Sequence, residues 1–86
     1  MAKIVIYTKD HCPFCERAKK LLDTKGAKYE LINLENDPDE LNALKNRTGL
    51  RTVPQIFING TFVGGHDDLV ALDRAGKLDP LLAAAP

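Results

Sequence analysis

Residues 3–15 read KIVIYTKDHCPFC, a short apolar run followed by the chain's two cysteines. The run Lys3–Tyr7 is rich in β-branched residues and predicts a buried strand. Pro13 suits the first position of a helix, and apolar residues then recur at helical spacing as far as Gly26, a typical helix end. The stretch therefore predicts a strand, a loop and a helix, with Cys12 at the helix N-cap.

The rest of the chain alternates strand and helix signals. The further predicted elements are a strand at Tyr29–Leu34, a helix opened by Asp37 and Pro38 and ended by Gly49, a strand at Gln55–Ile58, a strand at Thr61–Val63, a helix capped by Asp67 or Asp68, and a last short helix opened by Asp79 and Pro80. A helix between the first two strands implies a parallel pair, and Asn59-Gly60 implies an antiparallel hairpin. The order β-α-β-α-β-β-α plus a short final helix thus predicts an α/β fold, one mixed sheet with helices packed on it.

Composition limits the classes of function. The chain has 86 residues, with 12 basic and 12 acidic side chains, so its formal net charge is zero. This length fits a single domain over residues 1–86. A nucleic-acid-binding protein would show a basic excess, and a membrane span would need an apolar run of about 18 residues. The N-terminus has no apolar core of a signal peptide, and we expect a cytoplasmic monomer that binds neither nucleic acid nor membrane.

The two cysteines are three residues apart, too close to brace a fold. At the N-cap, the Cys12 sulfur can accept hydrogen bonds from the N–H groups of Phe14 and Cys15, and the helix dipole favours negative charge there. Both effects predict that the pKa of the Cys12 thiol lies below its ordinary value of about 8.5. Cys15 lies one turn further on and should be less exposed. The pair is therefore predicted to be a redox couple with a thiolate nucleophile at Cys12. A structural disulfide and a zinc site completed by His11 and His66 are the alternatives.

Two other segments carry signals for a ligand. Pro54 in Thr52-Val53-Pro54 precedes an apolar strand, and a cis bond there would leave the N–H and C=O of Val53 free to pair with an extended peptide ligand. The alternative is that Pro54 is an ordinary proline at the start of a strand.

The second segment is Gly64-Gly65-His66-Asp67-Asp68. Its glycines allow close approach of the backbone, its helix-start N–H groups can bind a carboxylate, and an aspartate can bind an ammonium group. Such a site suits an amino-acid end group, for example the γ-glutamyl end of glutathione. The alternative is that both aspartates only cap the helix.

Together these motifs resemble the glutaredoxin family over essentially the whole chain, and most closely its small bacterial dithiol members. The resemblance implies a thioredoxin fold with a four-stranded mixed sheet, a cis Pro54, Cys12 as the nucleophile and Cys15 as the resolving thiol. It implies glutathione as a reducing co-substrate, with no tightly bound cofactor and no metal. The glutathione-binding residues carried over from the family are Lys9, Phe14, Thr52, Val53, Pro54, Gln55, Gly65, His66 and Asp67. Of these, Lys9 would approach the glycine carboxylate, together with Gln55.

Two positions depart from the family pattern. Phe14 stands where dithiol members usually have tyrosine, and His66 stands where small bacterial relatives often have cysteine. The implied activity is glutathione-dependent reduction of protein disulfides and glutathione mixed disulfides, with ribonucleotide reductase as a candidate partner. The alternatives are a redoxin reduced by thioredoxin reductase and an iron–sulfur carrier that binds a cluster between two chains.

Overall fold

Eight helices and strands follow one another along residues 2–86, the part of the chain that the computed structural model describes. The strands are β1 (Ile4–Thr8), β2 (Glu30–Asn33), β3 (Gln55–Ile58) and β4 (Thr61–Gly64). The helices are α1 (Pro13–Thr24), α2 (Pro38–Thr48), α3 (His66–Arg74) and α4 (Leu78–Ala83). Within residues 2–86, no helix has the length and apolar character needed to cross a membrane.

The four strands form one mixed sheet in the order β2-β1-β3-β4. β1 runs parallel to β2 and antiparallel to β3, and β3 runs antiparallel to β4. Asn59 and Gly60 join β3 to β4 with positive φ angles of 51° and 82°, as a tight hairpin turn requires. The sheet confirms the predicted thioredoxin fold.

Strand direction brings three distant segments to one edge of the sheet. Because β3 is antiparallel to β1, with Gln55 opposite Tyr7, β3 begins at the edge where β1 ends. Gly64 pairs with Ile56, so β4 ends at that same edge. The loop after β1, the loop before β3 and the start of α3 therefore lie side by side.

The sheet is covered by helices on both faces, and each face has its own apolar core. On the face of α1, α3 and α4, the fully buried side chains are Ile6, Ala18, Leu22, Ile56, Leu69 and Leu78. The face of α2 holds a smaller cluster of Tyr7, Leu34, Leu44 and Phe57. Each large side chain buried in this way stabilises the fold by about 1.5–3 kcal/mol.

The strand boundaries differ slightly from the sequence prediction. The first strand is Ile4–Thr8 where Lys3–Tyr7 was predicted, and the second is Glu30–Asn33 where Tyr29–Leu34 was predicted. The parallel ladder with β1 covers only Glu30–Asn33, which sets the limits of this edge strand. The third strand, Gln55–Ile58, is confirmed.

The starts of the last two helices were predicted too late in the chain. Gly65 is the N-cap of α3, so Asp67 and Asp68 lie inside its first turn. Asp68 still satisfies a free donor of the helix start, because its Oδ2 accepts from the Gly65 N–H at 3.0 Å. α4 begins at Leu78, one residue before the predicted Asp79.

Polar contacts tie the end of α1 to neighbouring elements. The Tyr29 hydroxyl donates to Asp23 Oδ1 at 2.8 Å, and burial together with this hydrogen bond raises the pKa of Tyr29 to about 12. Lys25 Nζ lies 2.6 Å from Asp73 Oδ1 and 3.0 Å from Asp79 Oδ1. The hydrogen bonds to Asp73 and then Asp79 raise the pKa of Lys25. The end of α1 is thereby linked to the start of β2, to α3 and to α4.

Replacing Tyr29 by phenylalanine is expected to lower the free energy of unfolding by about 1 kcal/mol at neutral pH, the net value of one hydrogen bond. The wild type should lose this advantage as the pH rises from 10.0, the ordinary pKa of tyrosine, through about 12, the value in the folded protein. Urea unfolding of both proteins across this range measures the difference. A difference that stays constant with pH would contradict the prediction.

Candidate active site

Cys12 lies at the N-cap of α1, in extended backbone with φ −112° and ψ 97°. Its sulfur accepts a hydrogen bond from the Cys15 N–H at 3.2 Å. A second hydrogen bond to this sulfur, from the N–H of Phe14, was also predicted. It is not formed among residues 2–86, where the Cys12 sulfur instead accepts from the N–H of Cys15. Pro13 occupies the first helical position, as predicted. The helix start thus presents a polarised N–H group to the sulfur.

Cys12 and Cys15 differ sharply in exposure. Their sulfur atoms are joined in a disulfide, with the Cα atoms 5.2 Å apart. Cys15 is only 1% exposed, whereas Cys12 is half-buried. Among residues 2–86, no cluster of three or more His, Cys, Asp or Glu side chains could hold a metal ion. The pair can therefore close and open as a redox couple whose accessible sulfur is that of Cys12.

The loop before β3 lies against this sulfur. The Val53–Pro54 peptide bond is cis, as predicted. The carbonyl oxygen of Val53 lies 3.8 Å from Cys12 Sγ. The loop therefore places backbone polar groups next to the sulfur, where an extended ligand joined to Cys12 would pass.

A groove of about 210 Å³ starts beside this loop and reaches the start of α3. Seven of the predicted site residues line it, namely Phe14, Thr52, Val53, Pro54, Gly65, His66 and Asp67. Leu50 and Asp68 also line it. Asp68 belongs to the predicted ligand segment Gly64-Gly65-His66-Asp67-Asp68, whereas no sequence pattern assigns Leu50 to a ligand site. The loop before β3, the start of α3 and Phe14 of α1 are thus the walls of one groove.

The two glycines after β4 let the backbone approach its neighbours closely. Gly64 has a φ of +121°, and a Cβ there would collide with the Asp68 carboxylate. A Cβ on Gly65 would lie 3.3 Å from the backbone oxygen of Pro54. Both glycines therefore have close neighbours within the protein that leave little room for a side chain at the groove end formed by α3. Close approach of their backbone to a ligand stays a prediction.

Phe14 and His66 pack against each other at the outer wall of the groove, with their rings tilted by 45°. The Phe14 ring is 49% exposed and lies 5.6 Å from the His66 ring, centroid to centroid. The Arg17 guanidinium lies 5.1 Å from the Phe14 centroid. His66 Nδ1 is 3.2 Å from Asp67 Oδ1, while the Asp67 side chain is 93% exposed. Asp67 thus keeps a solvent-facing carboxylate at the groove rim.

Two predicted site residues lie elsewhere. Lys9 lines a separate hollow of about 490 Å³ that also contains Cys15, Glu16 and Lys19. Gln55 is 1% exposed, and its amide is hydrogen-bonded within the protein. Contact of either residue with a bound ligand stays a prediction.

Comparison with known proteins agrees with this geometry. A sequence profile described as glutaredoxin matches residues 4–63. The chain is 48% identical over 82 residues to glutaredoxin 3 of Escherichia coli strain K12, covering 95% of this chain and 99% of that protein. It is 51% identical over 84 residues to a glutaredoxin of Pseudomonas aeruginosa, covering 98% and 100%. A crystal structure of a buckwheat glutaredoxin–glutathione complex superposes with a TM-score of 0.88 and 44% identity, covering 94% of this chain and 76% of that chain.

The chain belongs to the glutaredoxin family. Family membership and the Cys12–Cys15 pair support activity as a thiol–disulfide oxidoreductase.

In the reduced protein, iodoacetamide at neutral pH is expected to alkylate Cys12 at least about tenfold faster than Cys15. Cys15 is buried, whereas the Cys12 sulfur is partly exposed and receives an N–H bond at the helix start. Peptide mass spectrometry after timed quenching measures both rates. Equal rates in the folded protein would contradict the prediction, and equal rates in the urea-unfolded protein are the control.

Gly64→Ala is expected to cost about 3 kcal/mol of folding stability, because it combines an unfavourable φ with a collision with Asp68. Gly26→Ala is the matched control, since its φ is +67° but open space surrounds it, and about 1 kcal/mol is expected. Urea unfolding of both variants measures the difference. Equal losses of folding stability in the two variants would contradict the prediction, because they would show that the collision with Asp68 adds no destabilisation.

Proposed function

We propose that this glutaredoxin depends on glutathione and reduces both glutathione mixed disulfides and protein disulfides through Cys12. One observation carries the proposal: the accessible sulfur lies beside a groove that ends at a helix N-terminus with an exposed carboxylate. The structurally similar buckwheat glutaredoxin was crystallised as a complex with glutathione, which is consistent with such a ligand. Glutaredoxin reduction potentials of about −200 to −230 mV also lie near that of the glutathione pool.

The groove offers partners for two parts of glutathione, the γ-glutamyl end and the cysteinyl part. The N–H groups at the start of α3 suit the α-carboxylate of the γ-glutamyl end, and the Asp67 carboxylate suits its ammonium group. Backbone groups of Val53 suit the cysteinyl part, and Phe14 supplies an apolar wall. Lys9 remains the predicted partner of the glycine carboxylate.

Reduction of a glutathionylated protein requires one cysteine. The Cys12 thiolate attacks the glutathione sulfur, the protein–glutathione S–S bond breaks, and the protein thiolate leaves and takes up a proton. A second glutathione thiolate then attacks the glutathione sulfur of the mixed disulfide. Oxidised glutathione is released, and the Cys12 thiolate is restored.

Reduction of a protein disulfide uses both cysteines. Cys12 attacks one substrate sulfur and forms a mixed disulfide, and the first substrate thiolate leaves. The Cys15 thiolate attacks Cys12 Sγ, which closes the disulfide seen in the structure and releases the second substrate thiol. Two glutathione molecules then reduce that disulfide and leave as oxidised glutathione.

The cellular setting is also a proposal. We propose a cytoplasmic monomer that contributes to redox homeostasis, with ribonucleotide reductase as a candidate substrate. These assignments rest on the sequence and on the resemblance to the family.

Cys12→Ser is expected to abolish turnover of a glutathionylated peptide, because it removes the accessible sulfur of the cysteine pair. Cys15→Ser should retain it, since the one-cysteine route does not use Cys15, but should lose most reduction of a protein disulfide. The assay couples glutathione, glutathione reductase and NADPH and follows NADPH absorbance.

Turnover by Cys12→Ser would overturn the assignment of the nucleophile. If the wild type responds to thioredoxin reductase and not to glutathione, the glutathione-dependent function fails and the redoxin alternative replaces it.

A further inference from the structure

Gln55 is a buried polar side chain at the first position of β3. It lies opposite Tyr7 in the antiparallel ladder, so both side chains point toward the face covered by α2. Thr48, the last residue of α2, meets it there. The amide of Gln55 thus lies between the end of the helix and the loop that leads to Pro54.

The Gln55 amide uses all of its hydrogen-bonding groups. Its Nε2 donates to the carbonyl oxygens of Leu50 at 2.8 Å and Thr52 at 2.9 Å. Its Oε1 accepts from the Thr48 hydroxyl at 2.8 Å, the shortest contact of that hydroxyl. The reversed amide would place an oxygen against two carbonyl oxygens, so these partners fix its orientation. The Leu50 N–H closes the network by donating to Thr48 Oγ1 at 3.2 Å.

This network holds a loop that has no regular structure of its own. Leu50 is 44% exposed and Thr52 is exposed, yet both line the groove together with Val53. An exposed loop without such bonds would be mobile. Its ordering on ligand binding would then cost conformational entropy and weaken the binding free energy. Because the buried Gln55 amide is hydrogen-bonded to two carbonyl oxygens of this loop, the loop is already ordered before a ligand binds.

We propose that Gln55 and Thr48 are positioning residues that hold the loop 49–53 in the shape that binds glutathione. On this view Gln55 acts from behind the groove wall and does not touch the ligand, contrary to the role that the resemblance implies. The inference rests on the proposed function, because it assigns a determinant of the same site. It predicts that loss of the network weakens substrate binding and leaves the chemistry of Cys12 unchanged.

The test compares four variants with the wild type in the glutathionylated-peptide assay. Gln55→Met keeps the side-chain size and removes all three bonds, and we expect KM to rise about tenfold with kcat within about twofold. Thr48→Val should raise KM by about threefold, and Thr48→Ser, which keeps the hydroxyl, should restore the wild-type value. Tyr29→Phe controls for general destabilisation, because it removes one hydrogen bond at the opposite end of the sheet.

A second readout does not depend on turnover. NMR relaxation should show lower backbone order parameters for residues 50–53 in Gln55→Met than in the wild type. If Gln55→Met does not fold, Thr48→Val and Thr48→Ser make the same comparison.

The outcomes separate the two proposals. An unchanged KM in Gln55→Met or Thr48→Val, with an active wild type, overturns the positioning role and leaves the proposed function standing. A change in kcat instead of KM, or a KM that Thr48→Ser does not restore, overturns it as well. If the wild type does not use glutathione, the proposed function fails, and the positioning of the loop is then supported by lower order parameters and overturned by unchanged ones.

Discussion

The antiparallel pairing of β1 with β3 is the constraint on which the site depends. It places the end of β1 and the start of β3 at one sheet edge, and the hairpin to β4 returns the chain to that edge. Cys12, Val53 and Gly65 are far apart in sequence, yet this topology makes them neighbours. The apolar cores on both faces of the sheet fix the positions of its strands. The geometry of the groove therefore depends on these buried strands.

Local signals in the sequence predicted most of the fold and the reactive centre. Pro13 and the cysteine spacing indicated the N-cap position of Cys12, and Asn59-Gly60 indicated the hairpin, because each feature depends on backbone preferences of a few adjacent residues. The strand at residues 55–58 was predictable for the same reason. The cis bond and the interpretation of the groove as a glutathione site came from the resemblance to a family as well as from the residues.

Other parts of the site depend on contacts through space that no local pattern contains. All four residues of β3 are buried, so alternation could not show that the Gln55 amide points toward α2. Asp68 satisfies the Gly65 N–H because the helix begins earlier than its aspartates suggested. Leu50 lines the groove, and its carbonyl oxygen accepts a hydrogen bond from the Gln55 amide, a contact between residues five apart that the local sequence does not indicate. These positions require the tertiary structure.

The burial of Cys15 behind Cys12 has a kinetic consequence. Under the proposed chemistry, every exchange step makes or breaks a bond to the Cys12 sulfur, and the oxidised substrate and the reductant must approach this one site in turn. No productive complex can contain both at once. We therefore expect the proposed cycle to be of the ping-pong type, in which each reactant meets a different oxidation state of the same protein.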